Sequence, residues 1–195
     1  MSKGDETRQF IIERAAPIFN TKGIAATAMS DIMEATKLSK GSTYVHFEDK
    51  NELVLEVVDH NMQLLGSKIS SAIGKANTAK EKLFAYIDVL RTPTHPPVAG
   101  GCPMLNFGME ADDRNEPVKQ KVHQAVKVSQ KIIADIIRNG IESGEFKPTW
   151  DYDEFATIMF AMIEGGQLIC RVAGNNSKMS VISNVLHRMI DEQGI

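Results

Sequence analysis

The segment Thr27-Ala-Met-Ser-Asp-Ile-Met-Glu-Ala-Thr-Lys-Leu-Ser-Lys-Gly-Ser-Thr-Tyr-Val-His-Phe47 decides the fold of this chain. It holds two short helical patterns, Ala28 to Thr36 and Lys40 to Phe47. Thr27 precedes the first pattern and Ser39 precedes the second, and both residue types are preferred helix caps. Two such helices joined by a tight turn predict a helix-turn-helix, whose second helix can enter the major groove of DNA.

The second helix of this pair has an unusually polar surface for its length. Its hydrogen-bond donors are Lys40, Ser42, Tyr44 and His46, and Gly41 allows close backbone approach to another surface. A helix that enters a DNA groove needs short donors for base edges and longer ones for the flanking phosphates. Lys50 adds a cation just beyond the segment. The alternative interpretation of a capped helix pair is an ordinary solvated helical hairpin.

A set of residues in this region resembles the N-terminal domain of TetR-family transcriptional repressors, of the TetR/AcrR type. The matching residues are Gly23-Ile24, Thr27, Asp31-Ile32-Met33, Ser39-Lys-Gly-Ser-Thr-Tyr-Val-His-Phe47 and Lys50. The resemblance covers roughly the first quarter of the chain, and beyond it only the helical layout is similar. It implies a homodimeric repressor that binds a palindromic operator in double-stranded DNA and leaves it when a small-molecule effector binds.

The resemblance implies eight DNA-contacting residues: Thr27, Ser30, Lys40, Gly41, Ser42, Tyr44, His46 and Lys50. In the family pattern Lys40 and Ser42 face bases and Gly41 lies against the groove wall. Tyr44, His46 and Lys50 contact phosphates in the same pattern. Thr27 is expected to cap the first helix of the pair and to touch a phosphate.

Three residues depart from the family pattern. Ser30 stands where many members carry Arg or Lys, which weakens that contact. Thr43 replaces a usual Leu on the side of the helix that is expected to be buried, and Val45 replaces a longer side chain. These departures affect operator sequence and affinity more than the fold.

The remainder of the chain has helical periodicity and no alternating strand pattern, which predicts an all-α protein of about nine helices. We expect a helix-turn-helix domain over residues 1–50 and an effector-binding and dimerisation bundle over residues 51–195. The predicted helices outside the pair are 7–20, 50–74 with Asp49 as cap, 78–91, 103–112, 116–144, 151–174 and 178–191 with Ser177 as cap. Residues 92–101 are expected to form a loop, and both aromatic residues of 146–150 are expected to pack that connection.

The last two helices, within about 153–191, are predicted to form the dimer interface. The first of them is apolar around much of its circumference, so it must be buried on more than one side. Gly165-Gly166 in its middle disfavours a helix by about 1 kcal/mol per residue, which close backbone packing can offset. Two helices from each subunit would form a four-helix interface under two-fold symmetry, as in the TetR family. The alternative is a core helix pair within a monomer.

The family resemblance implies an effector cavity among the C-terminal helices. The candidate lining residues are Tyr86, Cys102, Met104, Phe107, His123, Trp150, Met159, Met162 and Gln167. Methionines suit an adaptable wall, although each candidate alone is more typical of a core position. Cys102 also starts a helix, where unpaired N–H groups stabilise a thiolate, so thiol-based electrophile or redox sensing is a further hypothesis. The alternative is a small residue packed at a helix start.

Composition agrees with a cytoplasmic regulator. The 195 residues include 43% hydrophobic and 24% charged residues, with a net charge of −3, and the first 50 residues balance seven basic against seven acidic side chains. No run approaches the roughly 20 apolar residues that span a membrane, so no membrane association is expected. The five dispersed histidines and the absence of a phosphate-binding glycine loop predict no metal site, no cofactor and no enzymatic activity. The alternative function is a helical protein-interaction or adaptor module without DNA binding.

Overall fold

The structure, a computed structural model, describes residues 2–195. Over these residues the chain forms nine α-helices and no β-strand, which confirms the all-α prediction. The helices are α1 (Lys3–Lys22), α2 (Met29–Thr36), α3 (Lys40–Tyr44), α4 (Lys50–Ile73), α5 (Ala79–Val89), α6 (Pro103–Ala111), α7 (Glu116–Glu142), α8 (Tyr152–Ala173) and α9 (Ser177–Asp191).

The chain divides into two compact units. The first contains the chain up to Leu64 together with Val98–Gln124, and the second contains Leu65–Pro97 together with Ala125–Ile195. The first unit therefore holds α1, α2, α3 and α6, and the second holds α5, α8 and α9. Helices α4 and α7 contribute residues to both units. The predicted domain boundary after residue 50 stays a prediction.

Helix α1 supplies much of the core of the first unit. Its start is fixed by a capping box, in which the Ser2 hydroxyl accepts from the N–H of Asp5 (3.2 Å) and the Asp5 carboxylate accepts from the N–H of Ser2 (2.9 Å). This reciprocal pair satisfies two backbone donors that a helix start leaves free. The buried apolar residues of the helix are Ile11, Ile12, Ala15, Ala16 and Phe19.

Arg8 connects three elements of the first unit. Its guanidinium forms ion pairs with Glu52 (2.7 Å) and Glu56 (3.2 Å) of α4. It also lies over the ring of Phe47, 4.4 Å from the ring centre, in a cation–π arrangement. Because Phe47 follows α3, the Arg8 side chain links α1, α4 and the end of residues 39–47, which contain α3 and are called the recognition segment below.

The predicted cap of α2 is wrong. Helix α2 begins at Met29 with Ala28 in the N-cap position. The hydroxyl of Thr27 is buried and donates to the carbonyl of Gly23 (2.6 Å), so it points back along the chain instead of forward to the free N–H groups of the helix. The hydrogen bond from Thr27 to Gly23 therefore stabilises the turn before α2.

The predicted cap of α9 is wrong for a similar reason. Ser177 is the first residue of α9, and its hydroxyl donates to the Oδ1 of Asn175 (2.6 Å). Two other predicted caps, Ser39 and Asp49, are confirmed, because their side-chain oxygens accept from backbone N–H groups three residues further on. The helix predicted to start at residue 151 begins at Tyr152, and Asp151 is its cap, with its carboxylate accepting from the N–H of Glu154.

A glycine sets the packing of α8 against α9 in the second unit. A Cβ atom at Gly166 would lie 2.6 Å from the Cε of Met179 and 2.9 Å from the Cδ1 of Ile182. A side chain at this position would require the ends of the Met179 and Ile182 side chains to move, so the glycine allows the two helices to approach closely without such a shift. The close packing predicted around Gly165-Gly166 is confirmed at Gly166, whereas a Cβ at Gly165 would meet no atom within 4 Å.

Helix α5 is joined to α9 and to the connection between α7 and α8. Lys80 pairs with Asp191 (2.5 Å), and the ring of Phe84 stacks on His187 with centroids 4.1 Å apart. The carboxylate of Glu145 accepts from the N–H of Ala79 (2.8 Å) at the start of α5. Within the connection itself, the predicted aromatic packing is confirmed, because the rings of Phe146 and Trp150 lie 4.8 Å apart, edge to face.

The expectation that no segment has the length and apolar composition of a membrane span is wrong for α8. Its 22 residues are long and apolar enough to cross a bilayer by length and composition. The core helix of a soluble protein passes the same test. Several of its side chains are buried in the second unit, including Phe155, Met159 and Ile163.

The first prediction concerns Gly166. Gly166→Ala should lower the free energy of unfolding by about 1–3 kcal/mol, because the added methyl overlaps Met179 and Ile182. The matched control is Gly66→Ala in α4, where a Cβ meets nothing within 4 Å and the better helix former should stabilise by up to about 1 kcal/mol. Urea denaturation of both variants measures the difference. Equal effects of the two substitutions would contradict the proposed packing.

Candidate nucleic-acid interface

The recognition segment has one face buried in the first unit. Ser39 caps α3 by accepting from the N–H of Ser42 (3.2 Å), as predicted. Thr43 is fully buried, and its hydroxyl donates to the carbonyl of Ser39 (3.1 Å), which explains how a polar residue occupies the inward position. Phe47 is 1% exposed beneath Arg8. Regular helix ends at Tyr44, earlier than the predicted end at Phe47.

The opposite face of the segment is open to solvent. Lys40 and Gly41 are exposed, and a Cβ at Gly41 would meet no atom within 4 Å. Tyr44 is 39% exposed, and the ammonium of Lys40 lies 5.9 Å from the centre of its ring. Ser42 and His46 are partly exposed. The donors predicted to contact DNA are thus present together on a surface that the first unit leaves uncovered.

Helix α2 contributes a second element to this surface. Ser30, in its first turn, is exposed, whereas Thr27 is buried and already hydrogen-bonded. A phosphate contact by Thr27 would require its hydroxyl to leave the carbonyl of Gly23. The N-terminus of α2 is held instead by Asp31, which accepts from the N–H of Ala28 (2.9 Å) and pairs with Lys22 (2.8 Å).

Three lysines supply positive charge near the recognition segment. Within residues 2–195 no ion pair engages Lys37, Lys40 or Lys50. Lys37 occupies the turn between α2 and α3 with a φ of 59°, in the left-handed region. That conformation costs a residue with a Cβ roughly 1–2 kcal/mol. The sequence pattern located the break at this position but did not reveal its backbone conformation.

The effector candidates of the first unit lie mainly in its core. Cys102 takes the N-cap position of α6, as predicted, and is buried, as are Met104 and Phe107. A sensing thiol needs access for an oxidant or electrophile, which this burial restricts, and the sensing hypothesis for Cys102 stays a prediction. His123 is exposed and lines a cleft of about 380 Å³ with Gly108, Glu116, Lys119, Gln120 and Val122.

The effector candidates of the second unit are also largely buried. Trp150 packs edge to face between Phe146 and Phe155, which explains its burial without a ligand. The side-chain amide of Gln167 donates to the carbonyl of Leu90 (2.9 Å), and its buried Oε1 accepts no hydrogen bond within residues 2–195. The three other candidates in this unit are the buried Tyr86 and Met159 and the partly exposed Met162.

A separate cleft of about 520 Å³ in the second unit contains none of the predicted effector residues. It is lined by Ile73, Asn77, Ala79, Lys82, Ile132, Asp135, Ile136, Asn139, Ser143 and Glu145. Its acidic groups already have partners. Asp135 pairs with Lys131 and Arg138, and Glu145 accepts from backbone N–H groups. Within residues 2–195 no cluster of His, Cys, Asp and Glu has the arrangement of a metal site.

Comparison with known proteins decides the family. Residues 79–186 match the tetracyclin repressor-like C-terminal domain, and residues 11–57 match the bacterial regulatory proteins of the tetR family. The chain belongs to the TetR family. Its two matched regions cover the recognition segment and most of the C-terminal helices.

Individual TetR-family relatives agree over the whole chain. A TetR-family transcriptional regulator from Cytophaga hutchinsonii is 36% identical, with a TM-score of 0.95 over 100% of this chain and 98% of that one. A TetR regulator from Chloroflexus aurantiacus is 33% identical, with a TM-score of 0.94 and the same coverage. The HTH-type transcriptional regulator LmrA of Bacillus subtilis is 26% identical over 95% of this chain and 97% of its own. This TetR-family chain is a DNA-binding transcriptional regulator and not an enzyme.

The second prediction concerns acid stability of the α2 start. The ion pair with Lys22, and then the hydrogen bond from Ala28, lower the pKa of Asp31 below its ordinary value of 3.8. A carboxylate with a lowered folded pKa stabilises the fold above its unfolded pKa and loses this contribution as the pH falls through the folded value. Asp31→Asn should therefore lose less stability than the wild type as the pH falls from about 5 to below 3.8.

The control for this prediction is Glu34→Gln, which removes an exposed carboxylate from the same helix. Urea midpoints measured at several pH values compare the three proteins. Parallel curves for wild type and Asp31→Asn would show that Asp31 makes no pH-dependent contribution.

Proposed function

We propose that this TetR-family regulator is a homodimeric repressor whose α3 enters the major groove of a palindromic operator. The observation that carries the proposal is the two-sided character of residues 40–47: Thr43 and Phe47 are buried in the first unit, whereas Lys40 and Tyr44 are exposed and Ser42 is partly exposed. A solvated hairpin would need no such concentration of donors. In a dimer, two copies of α3 would contact half-sites about one helical turn apart, or 34–36 Å.

We assign base contacts and phosphate contacts to different residues. Lys40 and Ser42, at the start of α3, would reach base edges beside the uncovered Gly41. Phosphate contacts are assigned to Ser30, Tyr44, His46 and Lys50. Thr27 is omitted because its hydroxyl is buried and bonded to Gly23. Since the first 50 residues carry balanced charge, affinity for non-specific DNA should be modest and dependent on salt.

The third prediction separates these two kinds of contact. Lys40→Ala and Ser42→Ala should each weaken operator binding by about 1–3 kcal/mol and relax the preference at one base position. Tyr44→Phe and Lys50→Ala should weaken binding to all sequences, and Lys50→Ala should reduce the salt slope of log K by about 1. Mobility shift or fluorescence anisotropy at several salt concentrations measures both quantities.

Lys75→Ala serves as the control for these substitutions, because Lys75 is an exposed cation that follows α4 in the second unit, outside the proposed DNA surface and the proposed dimer interface. It should bind operator like the wild type. If all four α3-region variants also bind like the wild type, the contact assignment is wrong. A protein that binds no DNA at any salt concentration would favour the adaptor hypothesis.

The proposed dimer interface is an exposed apolar stripe on α8, continued on α9. Leu168 is 53% exposed, Ile169 49% and Val172 82%, and Val181 of α9 is 59% exposed. Gly165 lies on the same side of α8 with no atom near its Cβ position. Adjacent exposed apolar residues are typical of association surfaces, and a second copy related by two-fold symmetry would cover them with the same stripe.

The fourth prediction tests this interface. Leu168→Asp and Val172→Asp should shift the sedimenting species from twice the chain mass of 21.5 kDa to a single chain, because each would bury a charge in an apolar contact. Ile195→Asp is the control, since Ile195 is 83% exposed but lies at the C-terminus away from α8 in sequence. A dimer that persists in both α8 variants would place the interface elsewhere.

We propose that a small-molecule effector binds in the C-terminal region and releases the operator in the cytoplasm. Support comes from the buried Oε1 of Gln167, which has no donor within residues 2–195. An unpartnered buried acceptor costs about 1–3 kcal/mol, and an effector carrying an N–H or O–H group would recover it. The effector can shift the equilibrium only by its different affinities for the DNA-binding and released states.

A further inference from the structure

Glu110, near the end of α6, binds the backbone of the turn between α1 and α2. Its Oε2 accepts from the N–H of Ile24 (2.6 Å), and its Oε1 accepts from the N–H of Ala25 (2.5 Å). All three residues belong to the first compact unit. Each carboxylate oxygen therefore accepts a hydrogen bond from one of two consecutive backbone N–H groups. The two donor residues lie 86 and 85 residues before Glu110 in the chain.

The turn has the geometry to hold a carboxylate. Gly23 ends α1 with a φ of 86°, and the N–H groups of Ile24 and Ala25 follow it directly. Two consecutive N–H groups of a turn can bind the two oxygens of one carboxylate, and bonds to a charged acceptor are stronger than bonds to a neutral one. A Cβ at Gly23 would lie 2.9 Å from the Oε2 of Glu110, so the glycine also leaves room for the carboxylate.

A second side chain of α6, one turn earlier, fixes the same region. The side-chain amide of Asn106 donates to the carbonyl of Asn20 (3.0 Å), to its Oδ1 (3.1 Å) and to the carbonyl of Gly100 (3.0 Å). The amide of Asn20, which is 3% exposed, donates to the carbonyls of Ala99 (2.7 Å) and Gly101 (3.0 Å). Asn106 and Glu110 thus hold the end of α1 and the following turn from one face of α6.

The turn held by Glu110 leads directly into the proposed DNA surface. Thr27 bonds back to Gly23, and Ala28 is the N-cap residue of α2. The exposed Ser30 lies in the first turn of that helix. A change in the Gly23–Ala28 backbone would therefore change where α2 begins and how Ser30 faces DNA.

We infer that Glu110 is a positioning residue for DNA binding, which acts through the N–H groups of Ile24 and Ala25 and touches no DNA itself. Its carboxylate holds the turn in the conformation that presents α2, and with it α3, to the operator. This inference rests on the proposed DNA surface. It adds a determinant of affinity from a segment that is distant in sequence from the helix-turn-helix.

The experiment compares Glu110→Ala and Glu110→Gln with Asp113→Ala and Asp113→Asn, which remove an exposed carboxylate three residues away. Operator affinity is measured at several salt concentrations, and amide hydrogen exchange is followed at Ile24 and Ala25. Glu110→Ala should weaken operator binding by about two- to thirtyfold. Its salt slope should equal that of the wild type, because no phosphate contact is lost.

Two further readouts separate positioning from general stability. In Glu110→Ala the amides of Ile24 and Ala25 should exchange faster, while those of the buried part of α1 keep wild-type rates. Glu110→Gln keeps one acceptor oxygen but turns an NH₂ group toward the other donor, so its effects should be intermediate. The Asp113 variants should match the wild type in every readout.

Three outcomes would overturn the inference. The first is wild-type operator affinity in Glu110→Ala despite faster exchange at Ile24 and Ala25, and the second is a reduced salt slope, which would indicate a direct phosphate contact. The third is equal loss of affinity in the Asp113 variants. If Glu110→Ala does not fold, the isosteric Glu110→Gln carries the same test. Lys40→Ala run in parallel reports separately on the DNA surface itself.

Discussion

The burial of Thr43 and Phe47 is the constraint on which the functional surface depends. A helix of five residues is not stable on its own, since the first turn fixes many backbone angles for few hydrogen bonds. The side chains that hold α3 must therefore come from the rest of the first unit. Arg8 supplies part of this support, because it covers Phe47 and pairs with Glu52 and Glu56 of α4. With its inner side fixed, α3 can leave its donors exposed.

Helix α2 is also stabilised by residues outside it. Its start is held by the Lys22–Asp31 ion pair and by the turn that Glu110 binds. Backbone N–H groups of a turn are strong donors that must be satisfied, and here a carboxylate from α6 satisfies two of them. The two helices proposed to face DNA thus rest on polar contacts with the rest of the first unit, which leaves their outward side chains free for the proposed contacts.

Local signals in the sequence predicted much of the fold. Caps such as Ser39, Asp49 and Asp151 act within three residues, so their patterns are readable along the chain. The predicted caps Thr27 and Ser177 are wrong because a hydroxyl can bond backward as well as forward along the chain, and backbone geometry decides which bond forms. Glu110 gave no local signal at all, since its partners lie 85 and 86 residues away. The effector candidates stay predictions, because buried aromatic and methionine residues occur both in hydrophobic cores and in ligand-binding sites.

The most direct test of the proposed role of α3 is a crystal structure of the protein bound to an operator fragment that the protein has selected from random DNA. In this complex α3 should lie in the major groove, with Lys40 and Ser42 within hydrogen-bonding distance of base edges and Thr43 still buried. A complex in which α3 lies outside the groove, or in which Tyr44 and His46 turn away from the DNA, would contradict it.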